Sequence, residues 1–255
     1  MSQLLAPPPT CALRDAALFF DVDGTLVPIE EKPEAVVVSD TLRSLLQRLM
    51  TATNGALALV SGRSIEQLDR LFEPLNFSAS GLHGLERRLL PDGVRRASSA
   101  SKDLETAKHE LERFAADHPG TLFEDKGLTL ALHYRMAAEH REKAAALVHR
   151  LVSADPDSLV LLEGKMVFEL KPPGFDKGRA IAEFMKEPPF RGRCPIFAGD
   201  DVTDEAGFAT IDALKGMAIK VGVDDRPTKA RYGLPDVEAT LQWFSNLAEG
   251  RGEGV

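Results

Sequence analysis

The stretch Ala17-Leu18-Phe19-Phe20-Asp21-Val22-Asp23-Gly24-Thr25 decides the fold. An apolar run without alternation predicts a strand buried on both faces, and the Asp-Gly pair that closes it predicts a turn. Further on, Ser39 precedes Leu42, Leu45, Leu46 and Leu49, which is the spacing of an amphipathic helix with Ser39 as its N-cap. A second buried strand, Ala56-Leu57-Ala58-Leu59-Val60, ends at Ser61-Gly62-Arg63, and Ile65, Leu68 and Phe72 mark another helix. Strand and helix alternating in this way predict an α/β fold, a doubly wound parallel sheet with helices on both faces. The C-terminal third resumes the rhythm, with a helix over 178–186, a strand at Pro195–Ala198 and a helix after Asp204. A strand at Ala218–Val221 and a helix carrying Val237, Leu241, Phe244 and Leu247 close it.

The middle third breaks the pattern. Leu104, Ala107, Leu111 and Phe114 space as a helix, and two strands follow around residues 121–123 and 128–132, joined at Asp125-Lys126-Gly127. Ala144, Ala145, Val148 and Leu151 make a second helix, followed by strands at 159–162 and 166–170 joined at Glu163-Gly164-Lys165. Hairpins pair antiparallel, so the order αββαββ predicts a separate small α+β layer inserted into the parallel domain. The domains expected are a discontinuous core, residues 1–97 and 174–255, and an inserted cap, residues 98–173. Pro172-Pro173-Gly174 reads as the hinge back to the core, and Ala97–Ser101 as the hinge into the insert.

With 255 residues, 44% of them apolar, the chain has material for a sizeable core. Its formal net charge of -8 argues against nucleic acid and anionic lipid as partners, so an anionic substrate needs positive charge supplied locally. Two cysteines far apart, Cys11 and Cys194, fit no zinc spacing and suit a reducing compartment. The N-terminus lacks the basic flank and apolar run of a signal peptide, and no window is long and apolar enough to span a membrane, so a cytoplasmic location is expected. A monomer is favoured over an assembly.

Asp21 and Asp23 stand at the carboxyl end of the first parallel strand, where open α/β sheets bind ligands. Residues two apart share a side of a strand, and two carboxylates that close repel unless a cation or proton separates them. A lone Asp-Gly would be an ordinary turn, but three matching features lie downstream. Ser61-Gly62-Arg63 offers a hydroxyl and backbone N–H groups at a second strand end. Lys177-Gly178 opens a helix, where a lysine opposes the dipole unless something anionic sits beside it. Gly199-Asp200-Asp201-Val202-Thr203-Asp204-Glu205 closes a third buried strand with a composition that suits hard oxygen ligation of Mg²⁺. Asp204 or Glu205 can equally serve as an acidic helix cap.

Together, Asp21-Val22-Asp23-Gly24-Thr25, Ser61, Lys177 and Gly199-Asp200-Asp201 resemble the four motifs of the haloacid dehalogenase superfamily of phosphatases. Within it, the chain from about Leu18 to about Pro235 is similar to the short bacterial type of the trehalose-6-phosphate phosphatase family. That resemblance rests on Val60-Ser61-Gly62-Arg63, Gly81-Leu82-His83-Gly84, Ala131-Leu132-His133-Tyr134-Arg135, Glu169-Leu170-Lys171-Pro172, Asp176-Lys177-Gly178 and the acidic stretch after Gly199. Lys171-Pro172 departs from the Arg-Pro of many relatives.

The resemblance implies a Rossmann-like core and hydrolysis of trehalose 6-phosphate, the last step of trehalose biosynthesis, with Mg²⁺ as cofactor. It implies that Asp21 is the nucleophile, forming an aspartyl-phosphate, and that Asp23 protonates the leaving sugar and then activates water. Asp21, the backbone carbonyl of Asp23 and Asp200 would hold the metal, with Asp201 and Asp204 supporting its waters. Ser61 and Lys177 would hold phosphoryl oxygens. Gly62, Arg63, His83, Glu124, Lys126 and Glu169 would bind the substrate, the last three reaching the distal glucose unit by charge-assisted hydrogen bonds. Another sugar phosphate, such as sucrose phosphate, is the alternative substrate. A phospho-accepting signalling domain without turnover fits less well, since it has no need of Asp23 and is about half this length.

Overall fold

The computed structural model describes residues 5–30, 35–97 and 102–250. Residues 98–101 of the inbound hinge, together with the first four and last five residues of the chain, lie outside the described residues. The chain divides into two compact units, Met1–Arg95 with Asp176–Val255, and Arg96–Phe175.

Unit 1 begins with β1 (Ala16–Phe20), α1 (Asp40–Ala52), β2 (Leu57–Val60), α2 (Ile65–Phe72), β3 (Ser78–Gly81), β4 (Glu86–Arg88) and β5 (Arg95–Arg96). After the second unit it continues with α5 (Lys177–Phe184), β10 (Cys194–Gly199), α6 (Glu205–Ala213), β11 (Met217–Val221), β12 (Tyr232–Leu234) and α7 (Val237–Ala248). The eight strands order as β12-β11-β10-β1-β2-β3-β4-β5. The run from β12 to β3 is parallel and β4 pairs antiparallel with β3. β1 is therefore central, flanked by β2 and β10, which come from opposite ends of the chain.

The strands are buried on both faces, as their continuous apolar runs require. Leu18 and Phe20 join one core with Leu42, Leu46, Leu49, Phe72 and Phe244. Ala17 and Phe19 join the other with Ile181, Phe184, Phe190, Phe197 and Phe208. The β1–α1–β2 crossover thus covers one face and α5 and α6 the other, which opens a switch point at the carboxyl ends of β1 and β10. Ser39 caps α1 through Leu42 N, and Ser64 with Gln67 forms a capping box on α2. β3, β4, β5 and β12 have no counterpart in the sequence reading. β3 is Ser-Ala-Ser-Gly, fully buried yet without the large apolar residues that mark a strand.

Unit 2 contains α3 (Lys102–Asp117), β6 (Leu122–Asp125), β7 (Leu130–His133), α4 (Arg141–Ala154), β8 (Val160–Gly164) and β9 (Val167–Lys171). Its strands form an antiparallel sheet of order β6-β7-β9-β8. Leu130, Leu132, Phe168 and Leu170 pack with Leu111 of α3 and Val148 of α4. Both helices therefore lie on one face, and the alternate residues of the same strands form the other.

Phe19 stacks on Phe190 with ring centroids 5.3 Å apart and meets Phe184 at 6.0 Å. It is fully buried and ties β1 to α5. Phe19→Ala should destabilise the protein by about 3–5 kcal/mol, read as a lower urea midpoint at an unchanged slope.

Candidate active site

Alternation along β1 sends Asp21 to the same side as Ala17 and Phe19, toward the start of α5. There Lys177 opens the helix behind its N-cap Asp176. Lys177 Nζ lies 2.8 Å from Asp21 Oδ1 and 2.7 Å from Asp204 Oδ1, and all three side chains are buried. The anionic neighbours expected of a lysine at this place are thus the protein's own carboxylates. Burial works against the ammonium, but Asp204 and Asp21 outweigh it and hold the Lys177 pKa above the ordinary lysine range.

Asp21, Asp200 and Asp204 bring carboxylate oxygens within 4.8 Å of one another, all three residues being buried. Lys177 meets two of them, Asp21 and Asp204. Burial pushes the Asp21 carboxyl well above its usual range, Lys177 opposes this, and Asp204 and Asp200 add to it. Three carboxyl groups crowd around a single ammonium, and a cation among them would relieve that crowding. The donor set is all oxygen, which suits a hard cation. Gly24, at φ +88°, completes the cradle, since a β-carbon there would run into the Asp200 carboxylate.

Asp204 has little left to offer a metal. Its Oδ2 accepts from the amides of Asp200 (3.0 Å) and Asp201 (2.9 Å), while Oδ1 takes Lys177. It organises the acidic loop and the lysine together. Asp201 accepts from Val202 N and from Arg226 Nη1, each at 2.8 Å. Arg226, which the sequence reading missed, also reaches the Asp200 carbonyl at 3.4 Å. It lies in the loop that follows β11, and nothing in the local pattern marks it.

The carboxylate of Asp23 does not join that group. The strand ends at Phe20, and Val22 O accepts from the amides of Thr25, Leu26 and Val27, so the chain has turned before the alternation can continue. Asp23 instead receives both arms of the Arg63 guanidinium, Nε on Oδ2 and Nη2 on Oδ1, each at 2.7 Å.

Ser61 is buried at the end of β2, with its Oγ accepting from Arg63 N at 3.1 Å. The hydroxyl proton of Ser61 can then point elsewhere, toward an anion. His83 donates its amide to Ser61 O at 3.1 Å, and its ring lies over Gly62, where a β-carbon would stand 2.5 Å from Nε2.

The sequence profile of the trehalose-phosphatase family matches residues 19–238, a span that contains every residue of this site. The chain belongs to the trehalose-phosphatase family. It is 42% identical over 247 residues to a trehalose-6-phosphate phosphatase of Escherichia coli (strain K12), covering 93% of this chain and 89% of that protein. It is 43% identical over 233 residues to a probable trehalose-phosphate phosphatase of Sinorhizobium fredii, covering 91% and 87%. In fold it is similar to the C-terminal domain of the C. albicans trehalose-6-phosphate phosphatase, with a TM-score of 0.84 at 22% identity over 96% of this chain and 99% of that one. Among the described residues no helix is long and apolar enough to cross a membrane.

In unit 2 of this trehalose-phosphatase family member, Glu124, Ala131 and Glu169 stand in register across β6, β7 and β9. They lie on the face opposite α3 and α4. Lys126 Nζ, from the turn after β6, lies 3.2 Å from Glu169 Oε2, and His133 Nε2 lies 2.9 Å from Glu124 Oε2. The three cap residues singled out from the sequence therefore share one polar row, and His133 joins it. His133 was legible in principle, being two positions from Ala131 on the same strand face.

Replacing Asp204 by Ala would strip Lys177 of one of its two carboxylates and free two loop amides. Removing one partner of a buried pair costs about 3–5 kcal/mol. Asp204→Ala should lower the thermal midpoint and abolish phosphate release, measured on the same preparation.

Proposed function

We propose that the protein hydrolyses trehalose 6-phosphate to trehalose and inorganic phosphate through a covalent intermediate on Asp21. The observation that carries this reading is the buried Asp21 carboxylate fixed by Lys177 at 2.8 Å beside Asp200, in a chain of the trehalose-phosphatase family. An Asp21 oxygen attacks phosphorus, and the bond from phosphorus to the sugar oxygen breaks. Asp23 gives the departing oxygen its proton. Asp23 then takes a proton from water as that water attacks the phosphoryl group, releasing phosphate and restoring Asp21. Ser61 donates to a phosphoryl oxygen, and Lys177 offsets the charge that spreads over the equatorial oxygens.

The net negative cluster of Asp21, Asp200 and Asp204 fits a divalent cation. Asp21, Asp200 and the Asp23 backbone carbonyl would hold it, and Asp201 and Asp204 would order its waters through the bonds they make. Mg²⁺ is the ion this donor set favours, and when bound it neutralises the phosphoryl group under transfer. Glu124, Lys126 and Glu169 supply the charged donors and acceptors that sugar hydroxyls require, and Gly62 and His83 would serve the phosphate end of the substrate.

A phosphate-release panel of trehalose 6-phosphate, sucrose 6-phosphate, glucose 6-phosphate and an aryl phosphate, with Mg²⁺ and with EDTA, tests the substrate and the cation together. Trehalose 6-phosphate should lead in kcat/KM, and EDTA should stop every reaction until Mg²⁺ is restored. A leading rate on a different sugar phosphate would reassign the substrate and keep the chemistry. Asp21→Asn should be inactive on all four substrates at an unchanged circular dichroism spectrum, because an amide is a poor nucleophile and a poor ligand for a hard cation.

The sugar-reading role separates from the chemistry by a second comparison. Ala at Glu124, Lys126 or Glu169 should cut kcat/KM for trehalose 6-phosphate by about 10- to 1000-fold, the scale of lost charge-assisted hydrogen bonds. Hydrolysis of the aryl phosphate should barely change. Equal losses on both substrates would make the three residues structural.

A further inference from the structure

Arg63 offers a fork of N–H donors of fixed geometry, and a fork closed on a carboxylate fixes both its position and its plane. Asp23 needs such a support. It sits in a turn past the end of β1, and its side chain is 35% exposed, against 7% for Asp21. A lone bridge to Val27, rather than the strand ladder, pairs its backbone, and that does not orient the side chain. The two 2.7 Å bonds from Arg63 do so, and Arg63 is itself held, its side chain 11% exposed.

The hold extends into the backbone. Arg63 N donates to Ser61 Oγ at 3.1 Å, and Arg63 O accepts from Leu82 N at 3.0 Å. Leu82 and His83 lie in the left-handed region, at φ 49° and 53°, and Gly84 follows at φ 103°. Two consecutive non-glycine residues in that region are costly, on the order of 1–3 kcal/mol each, and such conformations cluster where a function depends on them. Here they direct two amides, of Leu82 and His83, onto the carbonyls of Arg63 and Ser61. A chain of fixed contacts thus runs from the Leu82–Gly84 turn through Arg63 to Asp23.

We infer that Arg63 is a positioning residue for Asp23 in proton transfer, rather than a group that chiefly binds substrate. The inference rests on the reading of Asp23 as the acid and base of the phosphatase reaction. Arg63 acts by holding the Asp23 side chain in one orientation: both bonds serve the ionised carboxylate that takes a proton from water, and one of them opens when Asp23 carries the proton for the sugar oxygen. Its contribution therefore vanishes when Asp23 can no longer transfer a proton. Losing Arg63 leaves the phosphate contacts of Ser61 and Lys177 in place, so kcat carries the penalty and KM does not.

A double-mutant cycle on the full-length protein with Mg²⁺ tests this, using Asp23→Asn, Arg63→Met and the combination, with kcat and KM for trehalose 6-phosphate. Arg63→Met alone should lower kcat by about 10- to 100-fold and leave KM within about threefold, while in the Asp23→Asn background it should change kcat by less than about threefold. Arg63→Lys retains the charge and a single donor, so its kcat should fall between those of wild type and Arg63→Met. Should Arg63→Met fail to fold by circular dichroism, Arg63→Lys carries the same cycle. A raised KM at unchanged kcat, or penalties that simply multiply, would make Arg63 a substrate ligand or an independent contributor and overturn the inference. No effect on either constant would overturn it as well. An active Asp23→Asn protein would remove the acid–base reading and this inference with it, whereas an impaired Asp23→Asn protein with multiplying penalties removes the inference alone.

Discussion

Lys177 carries its charge where water does not reach, and the architecture of unit 1 is arranged around that fact. An isolated buried ion costs several kcal/mol even after relaxation, and it is tolerated only where opposite charge meets it in good geometry. The two carboxylates that meet Lys177 come from distant parts of the chain. Asp21 ends β1, and Asp204 follows β10. Both reach the start of α5 because β1 and β10 are sheet neighbours and because α5 packs beneath them through Phe184 and Phe19. The aromatic packing on that face and the electrostatics of the site are therefore one problem. The same lysine, together with a divalent cation that its carboxylate neighbours could hold, would let a chain of net charge -8 receive an anionic group. Positive charge is concentrated at one point, at a helix N-terminus whose dipole has the same sign.

Much of this was legible from residue pattern. The apolar runs of β1, β2, β10 and β11 announce buried parallel strands, and the leucine spacing after Ser39 announces α1. Lys177 at a helix start was an electrostatic oddity that asked for an anion, and Asp21 and Asp204 answer it. What escaped was of two kinds. β3 escaped because Ser, Ala and Gly carry no hydrophobic signal even where every residue is buried. The relation between Asp21 and Asp23 escaped because a period of two holds only while the strand continues, and the chain turns at Val22. Long-range partners such as Arg226 on Asp201 have no local pattern at all, since the loops that carry them meet only through the order of the strands.

The second unit solves a different physical problem. Its sheet has one face committed to α3 and α4 and a second face that bears ionisable groups in register. Glu124, Glu169, Lys126 and His133 pair with one another, Lys126 with Glu169 and His133 with Glu124. Polar groups paired in this way hold their geometry before a ligand arrives. They also keep acceptors and donors side by side, an arrangement that would suit the neighbouring hydroxyls of the sugar proposed as substrate. A row of fixed polar groups discriminates strongly against a ligand that lacks the matching hydroxyl, because a buried charge left without its partner is expensive.

Asp21 and Asp23 are the same residue type two positions apart, and their surroundings differ in the sense that the proposed mechanism requires. Asp21 is buried against a lysine and two further carboxylates, with its amide bonded to Ala198 O in the neighbouring strand at 3.0 Å. A group so fixed and so dry suits a nucleophile, whose attack geometry tolerates little displacement. Asp23 stands in a turn, more open to solvent, with an arginine fork as its anchor. A proton carrier must face first a departing oxygen and then an incoming water, so some access to solvent is part of its task. Burial without a supporting side chain would fix it in the wrong place, and exposure without one would leave it unfixed. The turn at Val22 and the Arg63 fork together supply the third condition, a partly exposed carboxylate that nonetheless has one orientation, and under the proposed mechanism two positions of one short motif would hold two distinct chemical roles.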